Sequence, residues 1–136
     1  MSGALASKKK RQYNKLPQQR RKSPVPLTQY LYNSMGVWIA FRQNQYVFNT
    51  AGEWIGWLPW REKRFFRARL QPHVVDTNAN YLGTIFPGNR FYRLVYAPGY
   101  PQPGYPGYPT APGYPGYPGY AGQAELPLIA EDIPGL

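Results

Sequence analysis

Apolar and polar positions divide the chain into three stretches. Across residues 1–26, polar and charged side chains follow one another with no apolar period. Across 27–96, apolar runs alternate with polar turn signals, and across 97–136 tyrosine recurs among prolines and glycines. In the middle stretch one pattern occurs three times without a gap. Its copies are Tyr30-Leu31-Tyr32-Asn33-Ser34-Met35-Gly36-Val37-Trp38-Ile39-Ala40, Tyr46-Val47-Phe48-Asn49-Thr50-Ala51-Gly52-Glu53-Trp54-Ile55-Gly56 and His73-Val74-Val75-Asp76-Thr77-Asn78-Ala79-Asn80-Tyr81-Leu82-Gly83. Each reads as an apolar triplet, Asn or Asp, Ser or Thr, three variable positions, an aromatic residue, Ile or Leu, then Gly or Ala. A repeat of this kind signals one supersecondary unit used several times.

The unit predicts a β-hairpin. The triplet is the end of a strand. Asn33, Asn49 or Asp76 opens the turn, because a short polar side chain accepts bonds from backbone N–H groups just ahead of it. Gly36 and Gly52 stand where a positive φ costs least. In the third copy Ala79 takes that place, with Asn78 or Asn80 available for the left-handed position. The aromatic residue, Trp38, Trp54 or Tyr81, begins the return strand, and the small residue two places on predicts close approach of a neighbour. The matching positions of Trp38, Trp54 and Tyr81 assign those rings to the core, since a domain of this size needs large side chains for burial. Trp57 and Trp60 fall outside the repeat and predict an exposed aromatic patch.

Arg42-Gln43-Asn44-Gln45 predicts a four-residue connection between the first two units, and Pro87-Gly88-Asn89 a turn after the third. Residues 59–72 are an insertion, read as a loop or an elongated strand pair. The expected fold is all-β: a small repeat-built array of β-hairpins, flower-like or a small barrel, over residues 27–96. A fourth hairpin would come from the insertion or from Phe86–Tyr96. An array with open strand edges invites a second copy.

Composition sets the flanks apart. Residues 1–26 carry eight basic residues and no acid; residues 97–136 carry three acids and no base. The arm, with Lys8, Lys9, Lys10, Arg11, Lys15, Arg20, Arg21 and Lys22, has too little apolar surface to offset its ordering entropy and is expected to be disordered. In 97–136, Gly-Tyr-Pro recurs at Gly99, Gly104, Gly107, Gly113 and Gly116. Proline bars ladders and helices there, so a disordered, polyproline-II-rich tail is expected. Its removal should leave the thermal transition of the core unchanged. The last stretch, Ala124 to Leu136, is acidic and apolar and reads as a short motif for docking on a protein partner.

The strings Trp38-Ile39-Ala40-Phe41, Tyr46 to Leu58 and Val74 to Gly83 resemble the bacterial four-fold β-flower family. That resemblance implies hairpin petals about a pseudo-symmetric axis and transfers no functional residue. Val74-Val75-Asp76-Thr77 with Tyr81-Leu82-Gly83-Thr84-Ile85 is similar, more loosely, to the opening of PRC-barrel domains. Glu131-Asp132-Ile133-Pro134 resembles the acidic tip of bacterial single-stranded-DNA-binding proteins, although those tips end on an aromatic residue and this chain ends Gly135-Leu136.

The chain has no cysteine and one histidine, so thiol chemistry is excluded and no transition-metal site is expected. His73 lies where the other copies have Tyr, and a structural role is expected of it. No paired carboxylates, phosphate loop or cofactor motif is present, so the protein is expected not to be an enzyme. No apolar run is long enough to span a bilayer and no secretory signal is evident, which makes the cytoplasm the default location. The basic arm favours a polyanion, either nucleic acid or an anionic membrane surface. Arg61, Lys63, Arg64, Arg67 and Arg69 surround Phe65 and Phe66, a pattern suited to single-stranded nucleic acid, where rings stack on bases at about 1–3 kcal/mol each. The competing reading makes both Phe residues core and the basic side chains a solvated face. The best fit to the sequence is a non-catalytic binding or scaffold module, with a nucleic-acid accessory protein or a membrane-surface protein as alternatives.

Overall fold

The computed structural model describes residues 27–59, 72–99 and 103–136. All regular elements among them are strands: β1 (Thr28–Tyr32), β2 (Trp38–Gln43), β3 (Tyr46–Asn49), β4 (Trp54–Trp57), β5 (His73–Asp76), β6 (Tyr81–Phe86), β7 (Arg90–Leu94) and β8 (Ala130–Asp132). The insertion from 60 to 71, with Trp60, and the arm from 1 to 26 lie outside the described residues.

The three repeat turns form the same bonds on the same atoms. Asn33 Oδ1 accepts from the N–H groups of Met35 and Val37, both at 3.0 Å, and Gly36 N–H donates to Asn33 O at 3.1 Å. Asn49 does the same with Ala51 (3.0 Å), Glu53 (2.9 Å) and Gly52 (2.9 Å). Asp76 does so with Asn78, Asn80 and Ala79, each at 2.9 Å. An oxygen acceptor at the first turn position thus satisfies two N–H groups that a tight reversal would leave open. Gly36 and Gly52 both have φ of 85°. In the third unit Ala79 itself takes the left-handed φ, at 68°, and neither Asn78 nor Asn80 substitutes for it: the bond from Ala79 N–H to Asp76 O fixes the position. The connection of the first two units is shorter than expected. β2 runs on to Gln43, leaving Asn44-Gln45 as a two-residue turn with Asn44 at φ 56°.

Strands β1 to β7 pair antiparallel in sequence order, and a parallel pairing of Tyr32 with Arg90 closes them into a seven-strand barrel. The end of β1 meets only the start of β7, Tyr32 opposite Arg90. The rest of that edge is taken by β8, with Tyr92 opposite Asp132, Arg93 opposite Glu131 and Leu94 opposite Ala130. The fourth hairpin is therefore β7 with β8. Phe86–Tyr96 alone does not supply it, because β8 comes from the far end of the chain; the other expected source, the insertion, lies outside the described residues.

Leu31, Ile39, Val47, Leu58, Val74, Ile85, Phe91 and Ile133 form one buried cluster. Strands from around the whole sheet reach it, so it fills the barrel. The small residues of the repeat lie close against neighbouring backbone. A Cβ on Gly56 would fall 2.4 Å from Val75 O, and one on Gly83 would fall 2.6 Å from Ile133 Cδ1 and 2.8 Å from a Phe91 ring carbon. Trp57 is 7 % exposed. Its ring is therefore no part of an exposed patch, and its strand is paired on both edges, with Tyr46 and Val75 opposite it.

The domain does not end at residue 96. Ile133 and Ala130 are 6 % and 8 % exposed and belong to buried clusters, and residues 103–124 bond to the barrel at several points. The expectation of a free tail rested on Pro and Gly content, which forbids ladders within the segment but does not stop rings and carbonyls of the segment from docking on a barrel. Between 103 and 126 no ladder forms, in keeping with the prolines. The segment is not uniform polyproline II, however, because Gly107, Gly113, Gly116, Gly119 and Gly122 all take positive φ.

Candidate functional site

Alternation along the strands puts a second set of rings on the outside of the barrel. With Leu31 and Val47 inside, Tyr30, Tyr32, Tyr46 and Phe48 face out. Together with Trp38, Phe41 and Trp54 they form one aromatic cluster. Phe41 and Phe48 stack at 5.2 Å between centroids, and Tyr30 and Tyr46 meet Trp38 and Trp54 edge-on at 5.8 and 6.0 Å. The indoles are locked alike: Trp38 Nε1 donates to Ala40 O and Trp54 Nε1 to Gly56 O, both at 2.8 Å. Trp38 is buried in this second core cluster and Trp54 packs against it partly buried, apart from the cluster that fills the barrel. They are covered from outside, by the C-terminal segment.

That covering is periodic. Tyr105 and Tyr108 lie at 6.1 and 5.4 Å from Trp54, and Tyr114 and Tyr117 each at 6.0 Å from Trp38. Between the rings of each pair, the backbone is held by a barrel tyrosine: Tyr46 OH donates to Pro106 O at 3.4 Å and Tyr30 OH to Pro115 O at 2.9 Å. Tyr-Pro-Gly-Tyr at 105–108 thus sits on the second hairpin as Tyr-Pro-Gly-Tyr at 114–117 sits on the first. Further along, Ala121 N–H donates to Gly36 O at 2.9 Å and Ala124 N–H to Ser34 O at 2.8 Å. A Cβ on Gly36 would fall 2.5 Å from Gly122 O, so glycine is required there twice over, by φ and by the crossing chain. Arg90 ties the same point down, donating to Asn33 O at 2.9 Å and to Ala121 O at 3.3 Å. The segment passes the hairpins in the reverse of their order and ends beside the strand it left. It is a belt around the barrel.

The third hairpin differs. Ala97, Pro98 and Gly99 border a recess of about 560 Å³ with Tyr81, Arg93 and Leu94. His73, the counterpart of Tyr30 and Tyr46, turns to Thr84 instead. Leu94 N–H donates to Tyr81 OH at 2.9 Å, Tyr81 OH lies 2.7 Å from Thr84 Oγ1, and that oxygen lies 2.8 Å from His73 Nδ1. The chain of bonds runs in one direction when His73 is neutral and accepts at Nδ1. Burial pushes the His73 pKa below its ordinary value, as expected where the charged imidazole loses water. On the outer face burial raises the Tyr32 phenol, with its neighbours Tyr30 and Tyr117 adding to the effect. Tyr105 is also raised, by burial first and then by Tyr108 beside it. A second space of about 560 Å³ opens beside Trp54, between Phe48, Thr77, Asn78, Tyr105 and Tyr108.

The belt closes with charge pairing. Arg93 holds Glu131 through Nε at 2.8 Å and through Nη2. Asp132 accepts from Ser34 N–H at 2.8 Å and from Ser34 Oγ at 2.5 Å. Glu53 stays on the surface, accepting from Asn49 Nδ2 at 2.8 Å.

Asn33, Gly36, Trp38, Asn49, Gly52, Trp54, Asp76 and Tyr81 all stand in the turns and ring positions the repeat assigned them. The basic candidates Lys8, Lys9, Lys10, Arg11, Arg20, Arg21, Lys22, Arg61, Lys63, Arg64, Arg67 and Arg69 lie outside the described residues. Among the described residues no group of three His, Asp or Glu is placed to hold a metal, and no helix is long and apolar enough to cross a membrane. Sequence reasoning missed the belt tyrosines, although one signal was present: Tyr-Pro-Gly-Tyr recurs at 105–108, 114–117 and 117–120, the first two starting nine positions apart, and two repeat units carry Trp to receive rings. No family model, curated protein or solved structure matches the chain.

Proposed function

We propose that this chain is a non-catalytic binding and scaffold module whose outer aromatic face recognises tyrosine- and proline-rich segments, its own tail being the resident ligand. The observation that carries this reading is the matched pairing: each repeat tryptophan is flanked by two tyrosines of one Tyr-Pro-Gly-Tyr string, with a barrel hydroxyl on the carbonyl between them. Ring contacts of this kind contribute about 0.5–1.5 kcal/mol each beyond area burial. A proline-restricted chain loses little entropy when it docks, which is why aromatic grooves recognise such chains. A protein partner bearing the same string would compete with the tail for the same rings. A non-catalytic role is supported by the position of the one histidine, whose Nδ1 is engaged by Thr84. In this reading the basic arm adds contact with a polyanion, nucleic acid or anionic lipid, and that contact weakens steeply with salt.

The test uses the full-length chain with Tyr105→Ser, Tyr108→Ser, Tyr114→Ser and Tyr117→Ser, which frees the aromatic face but keeps β8 and Ile133. A labelled peptide of residues 103–120 should bind it saturably by anisotropy, and Trp38→Ala with Trp54→Ala in the same background should abolish binding. The unsubstituted chain should bind the peptide at least tenfold more weakly, because its tethered tail competes at millimolar effective concentration. Absence of saturable binding to the folded serine variant, or binding that survives loss of both indoles, would refute the proposal.

A further inference from the structure

We propose that the seam between β7 and β1 is a strand-accepting site, and that it takes residues 130–133 from a second copy of this chain, so that copies pair by exchanging their C-terminal strands. The proposal goes beyond the tail-binding reading and does not depend on the tyrosine contacts.

The seam selects its occupant one residue at a time. Ala130 enters a small apolar cluster with Phe86 and Tyr92. Glu131 meets Arg93, and both carboxylate oxygens of Asp132 are met by Ser34. Ile133 enters the barrel over Gly83, where any side chain would collide with it. The donor carries Glu125, Glu131 and Asp132 and no base, whereas the acceptor presents Arg90 and Arg93. Every one of these acceptor groups belongs to the barrel and none to the tail. The seam therefore offers the same contacts to a strand from its own chain and to one from another.

Sequence distance gives the cis strand little advantage. Val95 and Ile129 are already bonded, Val95 N–H to Ile129 O at 2.9 Å, yet residues 96–128 separate them, where a hairpin needs about 2–5. In a chain refolding with the belt not yet docked, a link of that length has a reach of roughly 30 Å and holds its end at a millimolar effective concentration. Without an occupant, β7 would expose the edge at Tyr92, Arg93 and Leu94, an open template for another chain. Reciprocal filling of two seams makes an isologous pair in which β7 is covered in both copies.

The chain lacks cysteine, so thiols placed in register report exchange cleanly. Leu94 and Ala130 face each other. They are a non-hydrogen-bonded pair, because Val95 and Ile129 next to them are the bonded one. Their Cα atoms are therefore about 4.5 Å apart, within the range a disulfide spans. Full-length Leu94→Cys and full-length Ala130→Cys are mixed in urea, refolded together at concentrations from about 10 μM up to about 1 mM, rising toward the millimolar effective concentration of the link, and then oxidised. Leu94→Cys mixed with Leu128→Cys, whose side chain is fully exposed, measures chance collision. Exchange predicts that the 94–130 interchain product exceeds the 94–128 product, and that at low occupancy its fraction rises about tenfold for each tenfold rise in protein. A chain carrying both Leu94→Cys and Ala130→Cys should close its own disulfide in dilute solution. The proposal is overturned if interchain 94–130 product stays at the chance level throughout while that double variant closes internally. It is equally overturned if the double variant does not close, since the seam would then not hold β8 at all. Neither outcome bears on peptide binding at Trp38 and Trp54.

Discussion

The residue that most sharply separates a free tail from a structural one is Ile133. It lies beyond the Gly-Tyr-Pro segment and is 6 % exposed, with Gly83 and the buried Phe91 ring at its side. Ile133→Ala removes three carbons from an interior contact that the absent Gly83 side chain cannot fill. Substitutions of this kind cost about 2–5 kcal/mol, the spread reflecting how far the site collapses. Here the residue enters at the seam, held by one turn and a three-residue strand, so partial closure is available and a loss of about 3 kcal/mol is expected. That is a large share of a small domain's stability of about 5–15 kcal/mol. Leu128→Ala, five positions earlier, is the control: Leu128 is 100 % exposed and its removal should change stability by less than about 0.5 kcal/mol. Urea unfolding followed by tryptophan fluorescence gives both numbers, with the slope expected to be common to all three proteins. Equal, near-zero effects of the two substitutions would mean that the C-terminus does not enter the barrel.

Three further outcomes follow from local geometry. Ala79→Gly should stabilise by about 0.5–1 kcal/mol, the relief of a left-handed alanine less the extra chain entropy of glycine; a loss of stability in the same urea assay would show that φ there is not positive. Tyr92 is 2 % exposed and its hydroxyl has no hydrogen-bond partner among the described residues, so Tyr92→Phe should be stabilising by about 1 kcal/mol, and a loss of stability would locate a partner for that oxygen. Because burial lowers the His73 pKa, the unfolded chain binds this proton more readily than the folded one. Stability is complete above the unfolded value of about 6.5 and falls as pH drops below it toward the folded value; His73→Gln should flatten that part of the profile, and a rise in wild-type stability on acidification would contradict the assignment.

The hairpins were legible because their turns are local. An Asn or Asp that accepts from N–H groups two and four residues ahead needs nothing outside the unit, so Asn33, Asn49 and Asp76 announced the strands on either side. The destination of each ring was not legible. Alternation tells which residues share a face, but only closure of the sheet decides which face fills the barrel, and Trp38 and Trp54 belong to the second, aromatic cluster under the belt. The belt was hidden for a related reason. Proline and glycine report what a segment cannot do by itself, and the ring partners of Tyr105, Tyr108, Tyr114 and Tyr117 lie some fifty to eighty positions away, on strands whose outer face composition does not reveal. Ile133, an aliphatic residue in an acidic stretch, looked like a motif for another protein because the seam that receives it exists only once β1 has met β7.

The central claim is that two Tyr-Pro-Gly-Tyr strings cover two repeat tryptophans. Nuclear Overhauser effects on the full-length chain test it directly. Cross-peaks should join the Trp54 indole to the rings of Tyr105 and Tyr108, and the Trp38 indole to those of Tyr114 and Tyr117, with no crossing between the two sets. Random-coil tyrosine shifts across 105–117, with neither indole showing a cross-peak to them, would contradict it.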